Sequence, residues 1–347
     1  MSTFTTALAQ AHDLLRWQSP LRTELWAARL TADLEPDEMA PFLRRAAKDG
    51  SAEARLTLAA ISAVNVTADM YRPADEGTSL PPGHEAVQPV AEDAGAGAYA
   101  LTGKNVAETL PGWVRRMGHV TCEGGWYGKA DPYGEQVLAA LSFRYENGKE
   151  PHLLVVGIDQ ASGGLAVDAV VEEVKFLDDL GLRAEEPGAV AGRVLDAFEL
   201  GDRIMGAVVA DTLAAVRPVA ISRARAVPDL VRPAPDDTMS RFDELPDQPG
   251  AREAFEKLAE FVGDRPLWWS PGRVTQFLTS WLPREAILSE AGIAAMPDVV
   301  RAWSRFSGAH PAVLAQVEAD APRLPALMAD DSLAGLGKRI AQAQRDR

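Results

Sequence analysis

The chain has 347 residues, 47% of them hydrophobic, which is enough to bury a sizeable core and to fill two or three domains of ordinary size. No run approaches the roughly 18 apolar residues of a membrane span, and the opening MSTFTTALAQAHDLLRW lacks the basic start, apolar block and cleavage site of a secretory signal, so a cytoplasmic protein with no membrane partner is expected. The net charge of −15 is concentrated in the middle: residues 65–265 carry 34 acidic and 19 basic groups, against 8 and 7 in 1–64 and 8 and 9 in 266–347. An acidic middle repels phosphate backbones, so nucleic acid is not an expected partner, whereas a basic protein partner or cationic ligand is compatible. The single cysteine, Cys122, forms no internal disulfide and excludes a cysteine-built zinc or iron–sulfur cage. Arginine outnumbers lysine 28 to 7, a bias typical of high-GC bacterial genomes that concerns codon supply rather than function.

In chain order, residues 1–64 read as a helical N-terminal segment of four short helices. Phe4, Leu8, Ala11 and Leu15 keep helical spacing, Ser19-Pro20 is an N-cap followed by proline at the first helical position, and Met39, Phe42, Leu43 and Ala46 form a third stripe. Asp49-Gly50-Ser51 ends that helix and caps the next. No third copy of any helix pair appears, so a helical cap on a sheet is expected rather than a solenoid. Residues 65–104, rich in Pro, Gly and acids, read as a linker or long loop. Within them GAYALTGKN, residues 97–105, approaches a phosphate-binding loop but departs from it in three ways. Five residues separate Gly97 from Gly103, Asn105 stands where a hydroxyl would hold magnesium, and no apolar strand precedes it.

An α+β sheet domain is expected over 105–226, opening with a short helix around 106–117. The segment HVTCEGGWYGKADPYGEQ then gathers His119, Cys122, Trp126, Tyr127, Asp131, Tyr133 and Glu135 among glycines. It reads either as a ligand loop, with aromatic faces for stacking and carboxylates for a polar group, or as a twisted strand and an Asp-Pro-Tyr-Gly turn. The candidate ligand-binding residues are Trp126, Tyr127, Asp131, Tyr133 and Glu135. Nothing around Cys122 supplies the histidine base and lowered pKa that a thiolate catalyst needs.

Residues 137–174 then read as a three-stranded meander, and the antiparallel sheet is expected to span about 119–174. Asn147-Gly148 suits a two-residue type I′ turn that pairs Glu146 with Lys149 and Phe143 with His152. His152, Leu154, Val156 and Ile158 then continue the core face of Val137, Ala139, Leu141, Phe143 and Tyr145. Leu153 and Val155 make the second strand apolar on both faces, hence central. A bulge or four-residue loop at the glycines of 160–164 turns Leu165, Val167, Ala169 and Val171 inward and Asp168 outward, avoiding a stranded carboxylate. In that register Asp159 and Asp168 stand roughly 13 Å apart at about 3.3 Å per residue, and His152 faces away from Asp159, so no metal site is expected.

Helices are expected over 172–180, 189–200 and 204–216, broken by Gly181, Pro187, Gly201 and Pro218. A Pro- and Asp-rich linker covers 227–250, and a helical C-terminal domain 251–347. Its clearest stripe is Val274, Phe277, Leu278, Trp281 and Leu282 after Ser270-Pro271, closed by Pro283. Further stripes are Pro297, Val299, Val300, Trp303 and Phe306, then Val313, Leu314 and Val317. Trp268, Trp269, Trp281 and Trp303 line either a core or a partner groove.

The pieces DPYGEQ, HLLVVGID with the glycines after it, SPGRVTQFLTSWLP and DVVRAWSRF resemble, in this order, uncharacterised proteins of actinobacteria, over residues 125–168 and 270–306. The resemblance implies no activity and transfers no catalytic residue. The fold expected is therefore α+β, with an antiparallel β-meander covered by helices and helical parts at both ends. The function expected is a non-catalytic interaction or regulatory protein with a protein partner. Two alternatives stand beside it: a small-molecule hydrolase or transferase using Asp131, Glu135 and His119 or Cys122, and a small-ligand module using Trp126, Tyr127 and Tyr133. No cofactor and no oligomeric state is specified.

Overall fold

The computed structural model describes residues 2–64, 109–232, 238–266 and 268–345; the expected linker 65–104 and the stretch 97–105 fall outside them. Four helices open the chain: α1 (Thr3–Trp17), α2 (Pro20–Asp33), α3 (Pro36–Asp49) and α4 (Ala52–Val64). Their starts follow from the capping chemistry. The Ser2, Ser19 and Ser51 hydroxyls accept the N–H groups of Thr5, Arg22 and Ala54 at 3.3, 3.2 and 3.2 Å, donors that the first helical turn leaves without partners. On α1 the fully buried row is Phe4, Ala7, Ala11 and Leu14, with Leu8 and Leu15 partly covered beside it. This row packs with Phe42, Leu43, Ala46, Leu56 and Ile61 into one core, where each large apolar side chain contributes about 1.5–3 kcal/mol.

The sheet is antiparallel and has five strands: β1 (Val120–Lys129), β2 (Gln136–Tyr145), β3 (His152–Asp159), β4 (Leu165–Glu172) and β5 (Arg183–Glu185), in the order β4-β3-β2-β1-β5. The protein is thus α+β. The segment before the meander is strand β1, and the short strand β5 returns to pair with it. The β2–β3 turn differs from the type I′ expectation. Only Gly148 has a positive φ (73°), whereas type I′ requires two such residues. The loop therefore runs through Glu146, Asn147 and Gly148, with Gly148 N–H donating to Tyr145 O (2.7 Å) and Tyr145 N–H to Lys149 O (3.3 Å). That would shift the parity by one, but Glu150 takes a left-handed φ of 49°. His152 still stacks on Phe143, at 5.9 Å between ring centroids. At the next hairpin the preferred register is observed: Leu165 and Ala169 are buried, Val171 packs against the helical core, and the Asp168 carboxylate accepts the Thr212 hydroxyl. Asp159 caps its turn by accepting the N–H groups of Ala161 and Ser162.

Beyond β4, three sequence expectations are corrected. Residues 174–180 form a 3₁₀ helix rather than an α-helix. The third expected helix, α6 (Asp211–Arg225), starts seven residues later than expected, after an exposed apolar loop, and carries Pro218 in its interior, whereas α5 (Pro187–Gly201) opens on Pro187, the residue expected to part it from the helix before. Before β1, the described part of the expected helix is only a 3₁₀ turn, Val114–Arg116.

The C-terminal helices are α7 (Ala251–Val262), α8 (Pro271–Thr275), α9 (Leu282–Glu285), α10 (Glu290–Phe306), α11 (Pro311–Asp320), α12 (Leu324–Met328) and α13 (Leu336–Arg345). Between α8 and α9 the chain continues as a π-helix, Gln276–Trp281, so Pro283 lies inside a continuous helical run instead of ending it. Val274, Phe277, Leu278 and Leu282 are all fully buried. α7 and α10 approach closely at Gly250, where an added Cβ would lie 2.3 Å from the Ala291 carbonyl carbon; no side chain fits there.

The chain divides into two compact units. One comprises residues 1–126, 139–156 and 166–232; the other comprises 127–138, 157–165 and 233–347. The first holds the N-terminal helices, the larger part of the sheet, and α5 and α6. In the second, the β1–β2 and β3–β4 hairpin ends join the C-terminal helices, whose core is aromatic: Phe242, Phe261, Trp269, Phe277 and Trp303.

Candidate functional site

The segment singled out from sequence, 119–135, is chiefly strand and turn. The Asp131 carboxylate accepts three backbone N–H groups, from Tyr133 (2.7 Å), Glu135 (3.3 Å) and Gln136 (2.6 Å), and so shapes the Asp-Pro-Tyr-Gly turn. Tyr133 turns toward the aromatic core of its own unit, edge-on to His310 at 5.4 Å, and its carbonyl accepts Trp269 N–H at 2.9 Å. Trp126 lies across Gly124, where an added Cβ would sit 2.4 Å from the indole. Glu135 and His119 are exposed, and Tyr127 is half-buried. Cys122 is half-buried with its thiol on Gly124 O at 3.6 Å, and burial pushes its pKa above the ordinary value, the opposite of what activates a thiolate. Among the described residues, no three His, Cys, Asp or Glu side chains form a group that could hold a metal ion.

The densest set of titratable groups lies elsewhere, in the first unit, where α2 and α6 cover the sheet face bearing Tyr145 and His152. Glu24 of α2 and Arg223 of α6 are 0% and 1% exposed and form an ion pair. The Tyr145 hydroxyl donates to Glu24 at 2.6 Å and accepts from Arg223 at 3.0 Å, while Gly118 N–H donates to the other Glu24 oxygen at 2.5 Å. Arg223 Nε–H donates to His152 Nε2 at 3.1 Å. An arginine only donates, so His152 carries its proton on Nδ1, which reaches Glu150 O at 2.9 Å. Burial alone would pull the Arg223 pKa down, but the charge of Glu24 and its hydrogen bond more than offset this and the net shift is upward. Burial, and then the neighbouring Glu24 charge, drive the Tyr145 phenol far upward.

Every group in this set is sealed from solvent and has a partner, the condition under which a buried ion pair is tolerated. It therefore works as a clamp joining α2, α6, β2 and β3, and is out of reach of any ligand. His152 has a measurable consequence. Burial, and then the Arg223 charge, push its pKa down to about 4 from an ordinary 6.5. The unfolded chain thus takes up a proton that the folded one refuses, and stability falls as pH drops from 6.5 toward 4. We expect the wild type to lose about 2 kcal/mol more than His152→Asn between pH 7.5 and 5.0 in denaturant titrations. Equal losses would show that His152 is protonated in the folded protein.

An open site lies between α1 and α2. Helical spacing puts Gln10, Asp13, Leu14 and Trp17 on one wall and Arg22, Leu25, Trp26, Arg29, Leu30 and Asp33 on the other, around a groove of about 490 Å³. Trp17 is 60% exposed, with the Arg22 guanidinium 5.4 Å from its ring centroid, and Trp26 Nε1–H donates to Gln10 at 2.8 Å. Among the described residues no carboxylate pairs with Arg22 or Arg29, and no cation with Asp13 or Asp33. Sequence reasoning did not single out this groove, although the two tryptophans and the helical spacing of the residues around them were visible signals.

No family model matches the chain, and no curated protein or solved structure does either, in keeping with the resemblance to proteins that have no assigned activity.

Proposed function

We propose that this is a non-catalytic interaction protein of the cytoplasm, and that its α1–α2 groove receives an amphipathic helix from a protein partner. The observation that carries this reading is the apolar, tryptophan-walled groove, with Trp17 60% exposed at its mouth. A large aromatic side chain left in water beside an apolar floor of Leu14, Leu25 and Leu30 is the arrangement that a helix with i, i+3, i+4, i+7 anchors covers. Charge selects the orientation. Arg22 and Arg29 lie one above the other on α2 with no carboxylate partner among the described residues, so the partner helix that fits best turns acidic residues toward α2 and a basic residue toward Asp13. The hydrolase or transferase alternative draws less support, because Asp131 is occupied by the turn and Cys122 is shifted away from a thiolate.

The test is site-specific. A photo-reactive residue at position 17 should cross-link a protein in cells, and a synthetic peptide of the cross-linked segment should bind the purified chain. Trp17→Ala should weaken that peptide by about 2 kcal/mol, as hot-spot aromatics do, while changing folding stability by less than about 1 kcal/mol. Arg22→Glu with Arg29→Glu should weaken it further. A peptide indifferent to both charge reversals, or the absence of any protein adduct at position 17, would sink the reading.

A further inference from the structure

In the second unit, Trp268 N–H donates to Arg265 O at 3.1 Å shortly before Ser270, whose hydroxyl caps the start of α8 by accepting Arg273 N–H at 3.2 Å. The Arg273 side chain folds back into an aromatic slot. Its guanidinium carbon lies 3.9 Å from the Trp268 ring centroid and 4.1 Å from that of Phe261. Among the described residues two of its donors are used, Nη2 toward Phe261 O (3.2 Å) and Nη1 toward Gln276 Oε1 (3.2 Å). Its Nε–H and the Trp268 indole N–H are buried and have no hydrogen-bond partner among the described residues. Among the described residues no carboxylate lies within ion-pair distance of Arg273, and the charge facing it is a second arginine, Arg265. Among the described residues Arg265 reaches the exposed Asp264, at 3.7 Å, and donates to Gln160 O at 3.1 Å.

Two neighbouring guanidiniums that share no anion repel each other, and burial makes the repulsion costlier than in water. Aromatic stacking of a guanidinium offsets part of this, and because Nη1 and Nη2 each carry a second N–H beyond the one they donate, two N–H groups remain with which an arginine grips an oxyanion. From this we infer that the edge of the Arg273 slot, together with Arg265, binds a dianionic phosphate group, supplied either as free phosphate or as a small phosphate ester. Burial, and then the Arg265 charge, lower the Arg273 pKa to about 10, which accords with a cation missing its counter-charge. This site rests on residues of the second unit alone and stands or falls independently of the groove.

The experiment titrates inorganic phosphate, and in parallel a simple sugar phosphate, into the full chain at constant ionic strength held with chloride, following heat of binding and thermal midpoint. Saturable binding is expected, at least tenfold weaker in Arg265→Gln, whose side chain is 30% exposed and whose loss should leave the fold intact. Arg273→Lys, which keeps the charge but loses the fork, should also bind at least tenfold more weakly. Tighter binding of the ester than of free phosphate would identify the physiological source as an ester; the reverse would identify free phosphate. No saturable binding by either probe, or binding that survives Arg265→Gln undiminished, would overturn the inference and leave the Arg273 slot as a packing element only.

Discussion

Arg223→Met should destabilise the first unit by about 3–5 kcal/mol, because it strands the Glu24 carboxylate in a site with no solvent. The substitution also removes the donor to His152 Nε2 and one partner of the Tyr145 hydroxyl. The loss is therefore larger than the net worth of the ion pair, and a cycle separates the two. Glu24→Leu combined with Arg223→Met removes both charges, and the pair should recover at least half of the single-variant loss, since an apolar replacement avoids the desolvation of two ions. Hydrogen exchange of α2 and β2 amides is the suitable readout, since tryptophans in both units contribute to fluorescence. A double variant no better than Arg223→Met would mean that Tyr145 and His152 need the charges as hydrogen-bond partners. A single-variant loss below about 1 kcal/mol would mean that water reaches the cluster.

In the second unit the largest effect is expected at Trp303, which is 0% exposed between Phe242 at 5.8 Å and Phe306 at 5.7 Å. Trp303→Ala should cost about 3–5 kcal/mol, the transfer term for the indole plus the cavity it leaves. The Trp303 indole N–H has no hydrogen-bond partner among the described residues, so Trp303→Phe should lose only volume and cost less than half as much. Trp269 provides the contrast. Its indole N–H donates to Ser304 Oγ at 2.9 Å, so Trp269→Phe abandons a buried acceptor as well as volume. Denaturant titration with exchange measured on α7 and α10 should rank Trp303→Phe as the milder of the two phenylalanine variants. The opposite ranking would show that the Trp303 N–H has a bound partner.

Much of this architecture was already written in local chemistry. Serine caps before Pro20 and Pro271, the stripes on α3, α10 and α11, and the apolar run of β3 that made it central each depend on residues within a few positions, so the sequence alone determined where these helices begin, which face they bury and that β3 lies inside the sheet. The outward turn of Asp168 followed from the cost of burying an unpaired carboxylate. Where the expectation failed, a tertiary term outweighed a local signal. Pro218 and Pro283 are held inside helices by packing that offsets their lost hydrogen bonds.

The sites divide in the same way. The candidate residues Asp131 and Tyr133 looked chemical because turn-formers and binders draw on the same residue types, and only their partners, backbone N–H groups and an aromatic core, tell the two apart. Glu24 and Arg223, 199 positions apart, have no local signature beyond a charge in an apolar row. Their pairing exists only once α2 and α6 pack on the sheet, since a buried charge is settled by what the fold places opposite it. The groove beside Trp17 and the slot around Arg273 are likewise products of packing: local spacing set the helices, and tertiary structure decided which of their side chains were left without partners.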